Sequence, residues 1–170
     1  MKYSNLVFPI LWIGSSILLV SCTKERSPSN TFPFNKSHTI ELVSYETRIH
    51  NYLNDQLIEA GAFVVPGIKQ RIILSKEETN KLFDILYDSD QIGGHSVQSL
   101  ADCYSPRHSI VFYDSGRAIA FLEVCFECEG TRQTPNVDFG KFTEEKWCTL
   151  QKFFKANKAD FAIIDEMCPK

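Results

Sequence analysis

Cysteine and histidine are the residues of this chain with the most scope for chemistry. The 170-residue sequence contains six cysteines and four histidines. Four of them, Cys103, His108, Cys125 and Cys128, follow the spacing C-x4-H…C-x2-C. Thiolates with an imidazole suit a tetrahedral Zn²⁺ or, outside the cytoplasm, Cu(I). One hypothesis is therefore a zinc or copper site. It requires a bulge or turn, because residues three apart in a flat strand point to opposite faces.

The middle of the chain predicts how these residues meet. Two strand-like runs lie within residues 109–128 and are joined by a tight turn, which is typical of a β-hairpin. If Asp114 pairs with Arg117, side-chain alternation places His108 opposite Glu123. We interpret these two residues as a cross-strand charged pair.

The same register, continued along the hairpin, brings Cys103 opposite Cys128. We therefore predict a disulfide between these two residues and keep the metal site as the alternative. Under the disulfide hypothesis, Cys125 is either free or bonded to Cys148 or Cys168. Peptide mapping of the non-reduced protein separates these possibilities.

A catalytic role is not favoured by the motifs present. Acidic residues at positions 123, 127 and 129 flank the C-x-x-C pair, and their charge would raise a thiol pKa rather than activate it. His108 cannot serve the adjacent Ser109 as a base, because neighbours on a strand point to opposite faces. The sequence has no G-x-S-x-G elbow. We assign no catalytic residues.

The N-terminal segment indicates export. Lys2 precedes an apolar run over 6–20, whose fifteen residues are too few for a membrane span of about 20. The run ends in Leu19-Val20-Ser21-Cys22, which resembles the lipobox of bacterial lipoproteins. The resemblance implies a signal peptide over 1–21 and a diacylglycerol on Cys22. Thr23 follows the cysteine, and in lipoprotein sorting this implies the outer membrane.

The resemblance also implies a domain organisation and the number of cysteines that remain available for disulfides. Residues 22–37 are rich in Ser, Thr, Lys, Asn and Pro, which predicts a lipidated flexible tether. Residues 38–170 then form a single globular domain, a length that suits one hydrophobic core. Lipidation of Cys22 leaves five cysteines in a compartment that permits disulfides, so at least one thiol stays unpaired within the chain.

The elements of the domain predict an α+β fold. Strands are expected at 39–45, 70–74 and along the hairpin at about 108–128, with an edge strand at 160–164. Capping patterns at Ser75 and Thr143 begin two amphipathic helices, and a third short helix is expected at 49–60. The predicted architecture is a small antiparallel sheet packed against two or three helices.

Composition excludes one class of partner and leaves two functional hypotheses. A formal charge of −3 argues against nucleic-acid binding. The segments at 103–108 and 125–128 resemble uncharacterised exported bacterial proteins, a likeness that implies no activity. We expect a lipid-anchored, non-enzymatic binding or accessory module of the bacterial envelope, attached to the membrane by its lipid and acting with a protein partner there. The alternative is a zinc- or copper-binding envelope protein that uses the four Cys and His residues.

Overall fold

The computed structural model describes residues 26–46, 57–87, 104–164 and 168. Its elements form an α+β fold with a five-stranded antiparallel sheet, a two-stranded sheet and two α-helices. In chain order they are a 3-10 helix at Phe34–Lys36, β1 at Thr39–Tyr45, β2 at Ile58–Glu59, β3 at Ala62–Phe63, β4 at Ile68–Ile73, α1 at Lys76–Tyr87, β5 at His108–Asp114, β6 at Arg117–Cys125, β7 at Gly130–Gln133 and α2 at Glu144–Ala156.

The large sheet has the strand order β4-β1-β5-β6-β7, and every neighbouring pair is antiparallel. The predicted antiparallel sheet with a central β5–β6 hairpin is therefore confirmed. β1 lies inside the sheet between β4 and β5, and its apolar residues alternate between two separate cores. Both faces of β1 are therefore covered.

Both α-helices pack on one face of the sheet, and each begins at the predicted cap. The hydroxyl of Ser75 accepts from the backbone N–H of Glu78, whose carboxylate accepts from the backbone N–H of Ser75. The hydroxyl of Thr143 accepts from the N–H of Lys146. These bonds satisfy amides that the first turn of a helix leaves without partners. No helix in the described ranges is long and apolar enough to cross a membrane.

The opposite face of the sheet is covered by the β2–β3 hairpin and carries a second apolar cluster. Val43, Tyr45, Val111 and Phe121 belong to this cluster, with Leu57 and Phe63 from the hairpin side. The region 57–60 was predicted as the end of a helix, and here the prediction is wrong because Ile58–Glu59 is a strand. Residues 49–56 lie outside the described residues.

The register of the β5–β6 hairpin departs from the predicted one. The turn end of the ladder pairs as expected, but Ile119 is then inserted as an extra residue in β6. The insertion shifts every later pair by one, so His108 lies opposite Val124 and Ser109 lies opposite Glu123. The predicted pair of His108 with Glu123 is therefore wrong, because a one-residue shift moves a side chain to the other face.

Two terminal segments also differ from expectation. Phe34, within the predicted tether, is buried against Phe83 and Phe112, with ring centroids at 5.1 and 5.0 Å. Residues 160–164 form a turn and irregular chain rather than an edge strand. The edge position next to β6 belongs instead to β7, a short polar strand that the sequence patterns did not predict.

Candidate functional site

The site predicted from the cysteines and His108 lies at the end of the sheet where β5 begins and β6 ends. A shallow cleft opens there, which we call the sheet-end cleft. Its lining residues are Ser105, Arg107, His108, Cys125, Phe126, Glu127 and Ala162. An ion pair between Arg107 and Glu127 borders the cleft. The β-strands therefore bring two of the four predicted metal ligands, His108 and Cys125, to the edge of one cavity.

His108 is buried, with 2% of its surface exposed, on the helical face of the sheet. Its ring contacts Phe126 and Phe154 at centroid distances of 5.1 and 5.5 Å. Nε2 lies 2.8 Å from the carbonyl oxygen of Phe161. Since a carbonyl only accepts, we assign the proton to Nε2. Burial lowers the pKa of His108 to about 4, so the imidazole is neutral at pH 7.

Cys125 is a buried free thiol at the end of β6. It pairs with Gly130 of β7, and alternation along β6 places it on the same face as Glu123 and opposite the helices. His108 and Cys125 therefore approach the cleft from the two faces of the sheet. The absence of a bond from Cys125 to Cys148 or Cys168 agrees with one of the two states predicted for it.

A buried polar cluster lies on this second face, next to Cys125. We call it the tyrosine–glutamate network. Its centre is the fully buried carboxylate of Glu123. Tyr45 Oη donates to Glu123 Oε1 at 2.9 Å, and Tyr104 Oη donates to Oε2 at 3.2 Å. Arg132 Nε lies 3.2 Å from Oε2 and balances its charge. Ser109 Oγ completes the network at 2.9 Å from Tyr45 Oη.

The two tyrosines of the network are held in their protonated form. Burial is the main cause that raises the pKa of Tyr45 and of Tyr104, and the charge of Glu123 raises both further. Both phenols therefore act as hydrogen-bond donors to the carboxylate. Buried donors and acceptors that satisfy each other in this way stabilise one arrangement of the core. Glu123 is engaged in structure rather than presented to a substrate.

Other predicted site residues fall partly outside the described residues. Cys22 and Cys103 lie outside them, and Cys128 is half-buried in the turn that follows β6. The ladder between β5 and β6 ends at His108, so the predicted bond between Cys103 and Cys128 stays a prediction. Across the described part of the chain, no group of three or more His, Cys, Asp or Glu side chains is arranged to hold a metal ion.

A disulfide that the sequence analysis did not predict joins Cys148 of α2 to Cys168, with Cα atoms 5.3 Å apart. It fastens the chain that follows α2. Residues 158–164, which we call the C-terminal strap, return across the sheet and are held by side chains of distant elements. Ser44, Gln70 and Gln151 bond to backbone atoms of the strap at 2.8 to 3.1 Å, and His108 bonds to Phe161 as described above.

The structural role of Lys146 was also not indicated by the sequence. Its side chain is 1% exposed, in the first turn of α2. Nζ donates to the carbonyl oxygens of Leu86 at 2.5 Å and of Phe139 at 2.8 Å. Leu86 is in the last turn of α1, where carbonyls lack helical partners and a cation is favourable. The lysine therefore joins the two helices. A lysine in a charged first turn carries no sequence signal for burial.

Comparison of the chain with protein-family models, with curated proteins and with solved structures finds no match.

Proposed function

We propose that this chain is a lipid-anchored module of the bacterial envelope with a non-enzymatic binding or accessory role. The main structural support for a location in the envelope is the disulfide between Cys148 and Cys168. Structural disulfides persist in oxidising compartments and are rare in the cytosol. The disulfide supports the export expected from the N-terminal segment, and the lipobox-like residues up to Cys22 supply the anchor. Thr23 favours the outer membrane.

The use made of the acidic and basic side chains supports a non-enzymatic role. The carboxylate of Glu123 is surrounded by Tyr45, Tyr104 and Arg132. His108 donates to a backbone carbonyl. General acids and bases must reach a reacting proton. These groups are instead buried and bonded to the protein itself.

Metabolic labelling with palmitate tests the anchor. The wild-type chain is expected to carry the label and to stay in the membrane fraction, whereas Cys22→Ser carries none and is not processed. Cys125→Ala is the matched control, because it removes a buried free thiol and leaves the anchor. Lipid label on the Cys22→Ser protein would refute the anchor. A turnover of the purified protein that one substitution abolishes would refute the non-enzymatic role.

A metal-binding role is the second candidate, because His108 and Cys125 line the same cleft. Elemental analysis together with thiol counting on the purified protein distinguishes it from the first. If the chain is a binding module, we expect no stoichiometric zinc or copper. We also expect the Cys125 thiol to be counted as a free thiol after unfolding. Stoichiometric metal that is lost in a His108→Gln variant would favour the second candidate.

A further inference from the structure

The chain that leads into the domain is packed against it from Arg26 onward. Arg26 Cζ lies 5.4 Å from the ring centroid of Tyr87, in the last turn of α1. The ring of Phe34 contacts the same tyrosine at a centroid distance of 6.1 Å. Residues 26–34, which we call the entry loop, therefore begin and end on one side chain of α1. Inside the loop, the backbone N–H of Asn30 donates to the carbonyl oxygen of Ser27 at 3.1 Å. Most of the predicted flexible tether is thus folded onto the domain.

The link between the proposed anchor and the entry loop is short. Three residues separate Cys22 from Arg26 in the sequence. Because an extended chain covers at most about 3.5 Å per residue, the Cα atoms of Cys22 and Arg26 are no more than about 14 Å apart. A domain of this size is roughly 35 Å across. A lipid on Cys22 therefore holds the entry loop at the membrane surface, since the link is shorter than half the width of the domain.

The entry loop exposes one large apolar side chain. Phe32 is 44% exposed, whereas the next two residues, Pro33 and Phe34, are buried. Among the exposed large apolar side chains of the described residues, Phe32 is the only aromatic one. At a membrane surface, aromatic and large apolar side chains enter the boundary between the headgroups and the acyl chains. The short link brings Phe32 to the place where such a side chain is stabilised by lipid.

The charges on this side of the domain leave the contact to the aromatic ring. The entry loop, the residues that follow it and the second half of α1 carry both signs, as does the end of β5. The basic residues are Arg26, Lys36 and Lys81, and the acidic residues are Asp84 and Asp114. Asp114 is also bonded to His38 at 2.8 Å. The link adds one charge of each sign, Lys24 and Glu25. Because these charges nearly balance, we expect little preference for anionic over zwitterionic headgroups.

We propose that the entry loop is a membrane-facing surface, in which Phe32 enters the boundary between the headgroups and the acyl chains of a phospholipid layer. The inference rests on the anchor proposed at Cys22 and names a lipid surface as the partner of this part of the domain. The other end of the sheet is about 20 Å further along β1 and carries the exposed Ile68, which pairs with Tyr45. Ile68 is not expected to contact lipid.

Quenching of tryptophan fluorescence by brominated lipids tests the contact. The full lipidated chain is reconstituted in phosphatidylcholine vesicles with and without bromine on the acyl chains. Phe32→Trp reports on the entry loop, and Ile68→Trp is the matched control, because Ile68 is 40% exposed. Each chain also carries Trp12→Phe, so that the buried Trp147 is the only other tryptophan. We expect quenching and a blue-shifted emission for Phe32→Trp. For Ile68→Trp we expect no more quenching than in the chain with Trp147 alone.

The outcomes separate this surface from the anchor. Equal quenching of Phe32→Trp and Ile68→Trp, in a chain that floats with the vesicles, would overturn the membrane-facing surface and leave the anchor standing. A blue-shifted emission of Phe32→Trp without quenching would also overturn it, because the ring would then be covered by a partner protein or a second copy. The anchor has its own readout, the palmitate label that Cys22→Ser removes. A wild-type chain that lacks this label and stays in solution would overturn both proposals.

Discussion

Acidification from pH 6.5 to pH 4 is expected to destabilise the protein through His108. The imidazole is buried between Phe126 and Phe154, and its pKa is lowered to about 4 in the folded state, mainly by burial and also by the charge of Arg107. In the unfolded chain, histidine takes up a proton near pH 6.5. The unfolded state therefore binds the proton first as the pH falls, and folding stability is lost across this window.

The size of the loss follows from the two pKa values. With about 6.5 in the unfolded state and about 4 in the folded state, linkage gives a loss of about 2 kcal/mol at pH 5 and about 3 kcal/mol at pH 4. The stabilisation is fully present above pH 6.5. A loss of this size is a large part of the stability of a typical domain.

His108→Gln provides the matched control. Glutamine offers an amide N–H that can replace the bond to Phe161, and it does not titrate. Urea unfolding of both proteins between pH 7 and pH 4 gives the difference in unfolding free energy, in which the contributions of the carboxylates cancel. Relative to the variant, the wild-type protein is expected to lose about 3 kcal/mol of unfolding free energy between pH 7 and pH 4. A constant difference across this range would refute a buried neutral His108.

Four other perturbations test the remaining interactions. Tyr45→Phe should cost about 1–3 kcal/mol in urea unfolding, because it leaves Glu123 without the phenol donor and Ser109 without its hydrogen-bond partner. Tyr113→Phe, whose half-buried hydroxyl accepts from Arg71, should cost about 0.5 kcal/mol or less, and equal losses would contradict the network. Above about pH 10 the stability measured by urea unfolding should fall, since Tyr45 and Tyr104 have raised folded-state pKa values and the unfolded tyrosines ionise first. Ser75→Ala should lower the free energy of unfolding by about 1 kcal/mol through loss of the capping bond, and an unchanged urea midpoint would argue against the cap. Cys148→Ser and Cys168→Ser should each lower the free energy of unfolding by about 3 kcal/mol, and the double change should lower it little more. Peptide mapping of the non-reduced protein should recover the Cys148–Cys168 link, together with any Cys103–Cys128 link.

Features specified by neighbouring residues were predictable from the sequence. The strand at Thr39–Tyr45 follows from its β-branched and aromatic residues. The helices begin at Ser75 and Thr143, because each cap needs only residues within one turn. The turn end of the hairpin was also correct, since a tight turn fixes the first pairs of its ladder.

Features that depend on contacts across the fold were not predictable in this way. The insertion of Ile119 in β6 reverses which face receives His108 relative to Glu123, and the local pattern of apolar residues does not reveal it. β7 was missed because Gly130–Gln133 is short and polar and forms a strand only against β6. Strand formation at such an edge depends on the neighbour more than on propensity.

The candidate site was predicted in part for the same reason. The cysteine pattern directed attention to Cys125 and His108, and these two residues line one cleft. The polar network beside them was missed, because Tyr45 and Tyr104 are ordinary core residues by composition. Their shared acceptor, Glu123, is 78 residues from Tyr45 in the chain. Only the folded sheet brings these groups together.

The position of β1 within the sheet has a mechanical consequence. The anchor proposed at Cys22 is joined to the domain through the segment that enters β1, and Phe34 is buried just before that strand. β1 is bonded on both sides, to β4 and to β5. A pull along β1 from the membrane must first extract the Phe34 ring, and then shear two ladders of backbone hydrogen bonds together. A terminal strand at the edge of the sheet would have only one ladder to resist the same force. The domain is therefore tethered by one of its most strongly held elements.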